Sequence, residues 1–364
     1  MLSMQVWVEC GRSLPEAKIK FKRKVFLEVT HGYSPVYGFA EDAGNQGVFR
    51  TEMHYIDPVW VQNDRQKWVI DAEASLKASD FYLDFDAPSD SEAGFAYVKA
   101  DLAIALKFMK MMLDIDESQV KLYFSGSKGV HLTVPMMTLG IQPSTELHRI
   151  YKMLVEKIKE NTTHGTLDTA IYDNKRMFRV ANTRHDKTGA YKTRISYSEL
   201  KRMTKEQVLA YAMSPKADPP VHRSPSEKAQ KYIGWMVRKA EEEAETRREF
   251  SGKMLELDAA PPCIVEMHRR LFRQTIDERN NSGTALASFY FQTGMERDDC
   301  LSIVQHWSDN NCVPAMPEQE IKTIVDSVYR TEARYGCGSF KRLSGVCDKG
   351  NCPLFNKREK ETTA

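Results

Sequence analysis

The sequence predicts an α/β (α+β) domain built on a mixed sheet that carries acidic side chains, followed by a smaller, mainly α-helical domain. Three observations carry that expectation. Short β-rich runs alternate with helical periodicity through the N-terminal half, as in Lys24-Val-Phe-Leu-Glu-Val and Pro58-Val-Trp-Val-Gln. Residues 213–225 then hold four prolines in thirteen positions, the mark of a boundary. Beyond Pro261 the periodicity is helical and six of the seven cysteines fall, three of them close together. A chain of 364 residues is long enough for two such domains, and 41% hydrophobic composition supplies their cores.

Taken in order, residues 1–80 read as strands leading into Phe81-Tyr-Leu-Asp-Phe-Asp-Ala-Pro88. Side chains alternate along a strand, so Asp84 and Asp86 face one way, about 7 Å apart, with Leu83 and Phe85 in a core behind them. Two carboxylates so placed ask for a hard divalent cation such as Mg²⁺ or Mn²⁺, which takes oxygen ligands and bridges phosphates. On this segment alone a solvated strand end running into the Pro88 turn fits as well. A helix is expected over roughly Tyr97 to Leu113. A second from about Ser144 places Leu147, Ile150, Tyr151, Leu154, Val155 and Ile158 on one face, as core.

Between these helices, Val120 to Pro135 reads as a hairpin with the small, basic tip Ser125-Gly-Ser-Lys-Gly. Ser125, Ser127, Lys128 and the glycine-flanked amides can donate to phosphate oxygens, and His131 opens the returning strand. A plain surface hairpin is the competing reading. The segment from Thr166 adds Asp168 as a third carboxylate. Residues 172–202 then hold nine Lys or Arg, among them Arg176, Arg179 and Lys187, against three acids, in a chain whose net charge is only +2. Met177, Phe178 and Val180 interleave with these cations as in a half-buried strand. A basic patch beside a cation site favours a polyphosphate or nucleic-acid ligand over a small neutral metabolite.

The order of these segments resembles the archaeo-eukaryotic primase superfamily. In its catalytic small subunit an Asp-x-Asp strand, a Ser-Gly-x-x-Gly-x-His hairpin and a later Asp with an Arg-rich strand ending His-x-Lys-Thr-Gly occur in this order. Here they are matched by Asp84 and Asp86, by Ser125 through His131, and by Asp168 through Gly189. The resemblance implies that Asp84, Asp86 and Asp168 hold two Mg²⁺ or Mn²⁺ ions. Ser125, Lys128, His131, Arg179 and His185 would grip the nucleotide triphosphate, with Ser127, Arg176 and Lys187 beside them. Many small subunits also carry a Cys/His zinc knuckle, but no cysteine lies between Cys10 and Cys263.

After the proline-rich boundary, Ser224, Pro225 and Glu227 read as a capping box opening a charged helix. From Pro261 on, Cys263, Cys337, Cys347 and Cys352 form one distant and three close thiols, a set that suits zinc or an iron–sulfur cluster. The absence of paired Cys-x-x-Cys knuckles favours the cluster. Cys300 and Cys312 read as ordinary thiols. Pro261-Pro-Cys-Ile264, Asn281 to Gly294, Gln305-His-Trp307 and the final Cys352-Pro353 resemble the C-terminal domain of the primase large subunit. That resemblance implies a [4Fe–4S] cluster, with Zn²⁺ as the alternative, and a share in binding template and first nucleotides.

The expected domains are a primase-type catalytic domain over 1–212, a linker and bridging helix over 213–260, a cluster-binding helical domain over 261–356, and a tail over 357–364. The expected activity is single-chain DNA priming, a nucleotidyl transfer on single-stranded DNA from NTPs or dNTPs, with a replicative helicase or polymerase as candidate partner. A primase-polymerase of repair or lesion bypass, and a non-catalytic single-strand-binding module, are the alternatives. No apolar run is long enough to span a membrane and no signal peptide is visible, so a cytoplasmic setting, with a nucleoid, plasmid or viral replicon, is expected.

Overall fold

The computed structural model describes residues 4–14, 21–63, 66–250, 259–273 and 276–356. They divide into two compact units, Met1–Ala244 and Glu245–Ala364. In the first unit the elements are β1 (Val6–Ser13), β2 (Phe21–Glu28), α1 (Ser34–Asp42), β3 (Val48–Thr51), β4 (His54–Ile56), β5 (Trp60–Gln62), β6 (Trp68–Ile70), β7 (Leu76–Ala78), β8 (Phe81–Asp86) and α2 (Glu92–Phe108). They continue with β9 (Lys121–Phe124), β10 (Gly129–Val134), α3 (Met136–Leu139), α4 (Leu147–Lys159), β11 (Met177–Arg179), β12 (Thr193–Arg194), α5 (Tyr197–Arg202), α6 (Lys205–Tyr211) and α7 (Glu227–Phe250).

Two sheets organise this unit. One runs β11-β3-β1-β4-β7 with β2 paired to β1; the other runs β12-β9-β10-β8. The α+β class is the one expected, but where a mixed sheet was expected, every pairing between named strands in both sheets is antiparallel. Consecutive strands joined by a short turn, as β9 and β10 are, can pair only that way; apart from β1 with β2, the other pairings join strands that are not consecutive. The helix from Ser91 onward starts earlier than its apolar periodicity suggested, because Ser91 Oγ accepts the Gly94 amide at 3.0 Å and caps it. Its last turn widens into a π-turn, Met109–Leu113.

α4 buries the six apolar residues that its spacing singled out. Each fully buried side chain of that size contributes about 1.5–3 kcal/mol, so truncating Leu154 to Ala costs roughly 2–5 kcal/mol. These residues join Phe81, Leu83, Phe85, Phe95, Leu102 and Leu132 in the largest core.

The proline-rich segment, expected as a linker or boundary, is tied to the first unit by hydrogen bonds. Asn182 and Lys216 exchange two hydrogen bonds, at 2.9 and 3.1 Å. Tyr123 donates to Asp218 at 2.7 Å, and the His222 amide donates to Ser118 O at 3.1 Å. The cap of α7 is Ser226, whose Oγ accepts the Ala229 amide at 3.1 Å and donates to Leu113 O at 2.5 Å. Ser224 instead accepts from Gln119. Ala229, Ile233, Met236 and Ala240 then enter the main core, so residues 214–244 belong structurally to the first unit. Residues 251–258 of the expected linker and the tail 357–364 lie outside the described residues.

The second unit is helical: α8 (Pro262–Met267), α9 (Ile276–Gln292), α10 (Arg297–Asn311), α11 (Glu318–Thr331) and α12 (Cys337–Ser344), with β13 (Phe272–Arg273) and β14 (Cys312–Val313) paired in parallel. Its core centres on Trp307, whose indole donates to Met267 O at 2.8 Å, packed with Phe272, Leu286, Phe289, Val304 and Val325. Cys300 and Cys312 are buried in it. Among the described residues no helix is long and apolar enough to cross a membrane.

Candidate active site

The strand β8 pins the first two acids. Phe81, Leu83 and Phe85 are fully buried, so Asp84 and Asp86 share the opposite face. Across the ladder Asp84 faces His131 and Asp86 faces Gly129. His131 Nε2 stands 3.3 Å from Asp84 Oδ1 as an ion-pair contact, and that buried oxygen accepts no other hydrogen bond among the described residues. Gly129 is required there: a Cβ would sit 2.5 Å from Asp86 Oδ1 and 2.8 Å from Phe85 O. Burial works against ionisation of Asp84, but His131, Lys192 and Arg176 outweigh it and hold its carboxyl below the usual range. Asp86 is shifted the other way, by burial and then by the charges of Asp84 and Asp168.

The third acid reaches the pair through the backbone. The free edge of β8 is bonded by a short segment in which Asp86 N donates to Thr166 O at 2.8 Å and Asp168 N donates to Asp84 O at 3.0 Å, with Phe85 and Leu167 bridged between them. This segment is held from behind by Asp101 of α2, a fully buried acid. Asp101 accepts from the amides of Thr163 (2.9 Å), His164 (3.1 Å) and Thr166 (3.1 Å) and from Thr166 Oγ1 (2.8 Å). Asp101 was not singled out from the sequence. Its signal was present, since it falls on the core face of its helix with Val98, Leu102 and Ala105.

The hairpin tip closes against the basic segment. Ser125 N donates to Gly129 O at 2.9 Å, and Gly126, at φ +97°, makes a turn that few other residues adopt. Arg179 of β11 donates from Nη1 to Ser125 O at 2.5 Å, and Thr188 Oγ1 donates to Gly126 O at 2.5 Å. Burial pushes Arg179 down to about 10, with Asp186 opposing. His185 Nδ1 accepts the Lys187 amide at 3.1 Å, which leaves the neutral ring's proton on Nε2. Lys128 bends back to Ala87 O at 2.9 Å, its charge beside Asp86. Thus Lys128 and His131 lie beside the acids, while Ser125, Arg179 and His185 meet at the hairpin tip. Ser127 is half-buried at the tip and Lys187 is exposed. Arg176 turns away from the tip, to Ile171 O at 3.3 Å and Asp173 at 3.1 Å.

β3 and the residue leading into β12 add charged side chains that sequence reasoning missed. Arg50 lies 3.7 Å from the buried Glu52, and Lys192, also buried, holds its Nζ 5.3 Å from the Tyr123 ring centroid and 5.4 Å from that of Phe178. Phe178 in turn packs on His131, centroids 4.5 Å apart. Burial lowers the Lys192 ammonium to about 8, with Glu52 and Asp84 opposing and Arg50 and Arg179 adding to the shift. No local pattern marks Lys192 within its basic run.

In the second unit Cys263, Cys337, Cys347 and Cys352 line one cavity of about 260 Å³, whose other walls include Ile264, Phe289, Phe340 and Leu354. Burial and the neighbouring thiols Cys337 and Cys352 raise Cys263. Among the described residues no group of three or more His, Cys, Asp or Glu is placed so that it could hold a metal ion as it stands.

Residues 274–334 match the family Primase C terminal 1 (PriCT-1). The match spans α9 through α11 and supports a primase-type protein. It leaves out all four cysteines of the cavity. No curated protein matches the chain. Among solved structures, the polymerase domain from Mycobacterium tuberculosis Ligase D in complex with DNA is similar over 65% of this chain and 82% of that one, with 10% identity and a TM-score of 0.36.

Proposed function

We propose that the chain is a DNA primase that joins nucleotides on a single-stranded DNA template, with Asp84, Asp86 and Asp168 at the reacting phosphate. The observation that carries the reading is the backbone register setting Asp168 against Asp84 on the free edge of β8, with His131 across the ladder. As donors the three carboxylates suit divalent cations: Asp84 Oδ1 is buried and accepts no hydrogen bond among the described residues, and burial and then the charges of Asp84 and Asp168 raise Asp86. Two bound Mg²⁺ or Mn²⁺ ions would supply charge neutralisation at the transferring phosphoryl group and its pyrophosphate. The chain's own residues do the positioning. Lys128, Arg179 and the Nε2–H of His185 would offer donors to the triphosphate beside the Ser125–Gly129 turn. With the nucleotide so held, most of the rate comes from alignment and preset charge.

In the second unit the four thiols fit an iron–sulfur cluster better than zinc. Tetrahedral zinc needs its sulfurs within about 4 Å of one another, whereas these line a cavity roomy enough for a polyatomic group. The cluster would fix α8 and α12 to the closing segment. This unit would aid initiation, which must hold two nucleotides before any duplex exists. The experiment uses purified full chain, circular single-stranded DNA and labelled nucleotides, comparing rNTPs with dNTPs. Primers made without a supplied 3′ end support a primase; extension of a supplied primer alone supports a repair polymerase, and neither activity refutes both.

A further inference from the structure

Lys192 is held in a way that its own fold does not account for. Its backbone is fixed on both sides, donating to Thr183 O at 3.0 Å and accepting from Asn182 N at 2.7 Å. Its side chain is 6% exposed. Among the described residues its Nζ makes no hydrogen bond and no ion pair within 4.0 Å; only the faces of Tyr123 and Phe178 lie under it. An ammonium on a largely buried residue, with no protein acceptor and open to the site only at its tip, is unfavourable, and two ring faces offset that only in part. Beside it, His131 Nδ1 and Arg179 Nε are buried and make no hydrogen bond among the described residues. A cation, an arginine edge and a histidine edge left open together describe a place for an anionic ligand.

We infer that Lys192 is a phosphate-binding residue on the floor of the site, its ammonium receiving a non-bridging phosphate oxygen of the bound nucleotide. This rests on the proposed nucleotide reading and extends it: the triphosphate is gripped by the hairpin and the 179–188 segment at the rim, and by a buried lysine below. An ammonium suits the floor because it is a compact point charge with three donors, needing no planar partner. Glu52 and Asp84 supply negative charge nearby without neutralising it by contact.

The test measures binding of ATP and of inorganic tripolyphosphate by calorimetry, and melting temperature without ligand, for the wild-type chain, Lys192→Met and Lys192→Arg. Methionine keeps the stem and drops the charge. Its unliganded melting temperature should equal or exceed that of the wild type, because no hydrogen bond is lost. Its affinity should fall ten- to a hundredfold for both ligands alike, about 1.4–2.8 kcal/mol at 1.4 kcal/mol per tenfold. Arginine should retain binding within a few fold. A lower melting temperature with unchanged affinities would make Lys192 a structural counter-charge and overturn the inference, as would a loss for ATP but not tripolyphosphate. Lys192→Gln is a second neutral variant, read the same way should the methionine chain not fold. If the wild type binds neither ligand the nucleotide reading falls as well; if it binds both and Lys192→Met matches it, this inference alone falls.

Discussion

Replacing Asp101 with alanine tests how the third acid is held. The change removes one carboxylate and strands four donors. Two of them, the Thr166 amide and hydroxyl, are buried, and each left unsatisfied costs about 1–3 kcal/mol. The Thr163 and His164 amides lie at the exposed end of the loop and can turn to water, so roughly 0.5 kcal/mol each is a fair charge. The total is about 3–7 kcal/mol, which in a domain of this size lowers the melting temperature by roughly 6–28 °C. The alternative outlet is local: the 163–168 segment detaches from β8, leaving the melt almost unchanged while Asp168 leaves the acid pair. Primer extension should therefore collapse even in variants that melt near the wild-type temperature. Calorimetry and a primer-extension assay together decide the matter, and wild-type behaviour in both refutes the positioning role. The acid limb gives a second view. Burial opposes ionisation of Asp101, but its hydrogen bonds win and hold its carboxyl below the ordinary value. Its contribution is therefore complete above the ordinary carboxylate range and is lost as pH falls through the depressed folded value. Asp101→Asn should flatten that part of the stability profile and nothing near neutrality.

Asp84→Ala should abolish nucleotide incorporation while circular dichroism stays native, because it removes a buried unpartnered oxygen as well as function; retained incorporation would sink its role. Arg179→Ala should weaken nucleotide binding by about 1.5–3 kcal/mol, the worth of one charge-assisted contact, seen as a raised apparent Kd. Protein purified without oxygen should be brown with roughly four irons per chain; colourless protein carrying stoichiometric zinc would count against the cluster. A fragment ending at Met213 should lose cooperative melting, because it discards Ala229, Ile233, Met236 and Ala240 from the main core, whereas one ending at Phe250 keeps it; equal melts would contradict the assignment of α7.

Much of the site was legible because its chemistry contradicts its surroundings. Carboxylates at 84 and 86 interrupt an apolar strand, and a glycine-rich basic tip interrupts two β-rich runs. α4 was legible for the opposite reason, since periodicity alone specifies which six residues it buries. What escaped depends on contacts distant in sequence. Lys192 owes its burial to Tyr123 and Phe178, and no local spacing signals it. The proline-rich stretch looks like a linker by composition, yet Asn182, Tyr123 and Ser118 supply partners for its backbone and side chains. Its neighbour Ser226, not Ser224, became the helix cap because Leu113 O lies within reach of its hydroxyl.

The segment that brings Asp168 to the acids also covers the outer edge of β8. An uncovered edge presents open amides and carbonyls to any passing strand, and here those groups would belong to Phe81-Tyr-Leu-Asp-Phe, among the most apolar stretches of the chain. Activity and solubility are therefore tied to one pair of main-chain hydrogen bonds. A substitution that frees the 163–168 segment would disarm the site and expose an aggregation-prone edge in the same event, so selection for soluble protein alone would tend to keep the third carboxylate in place.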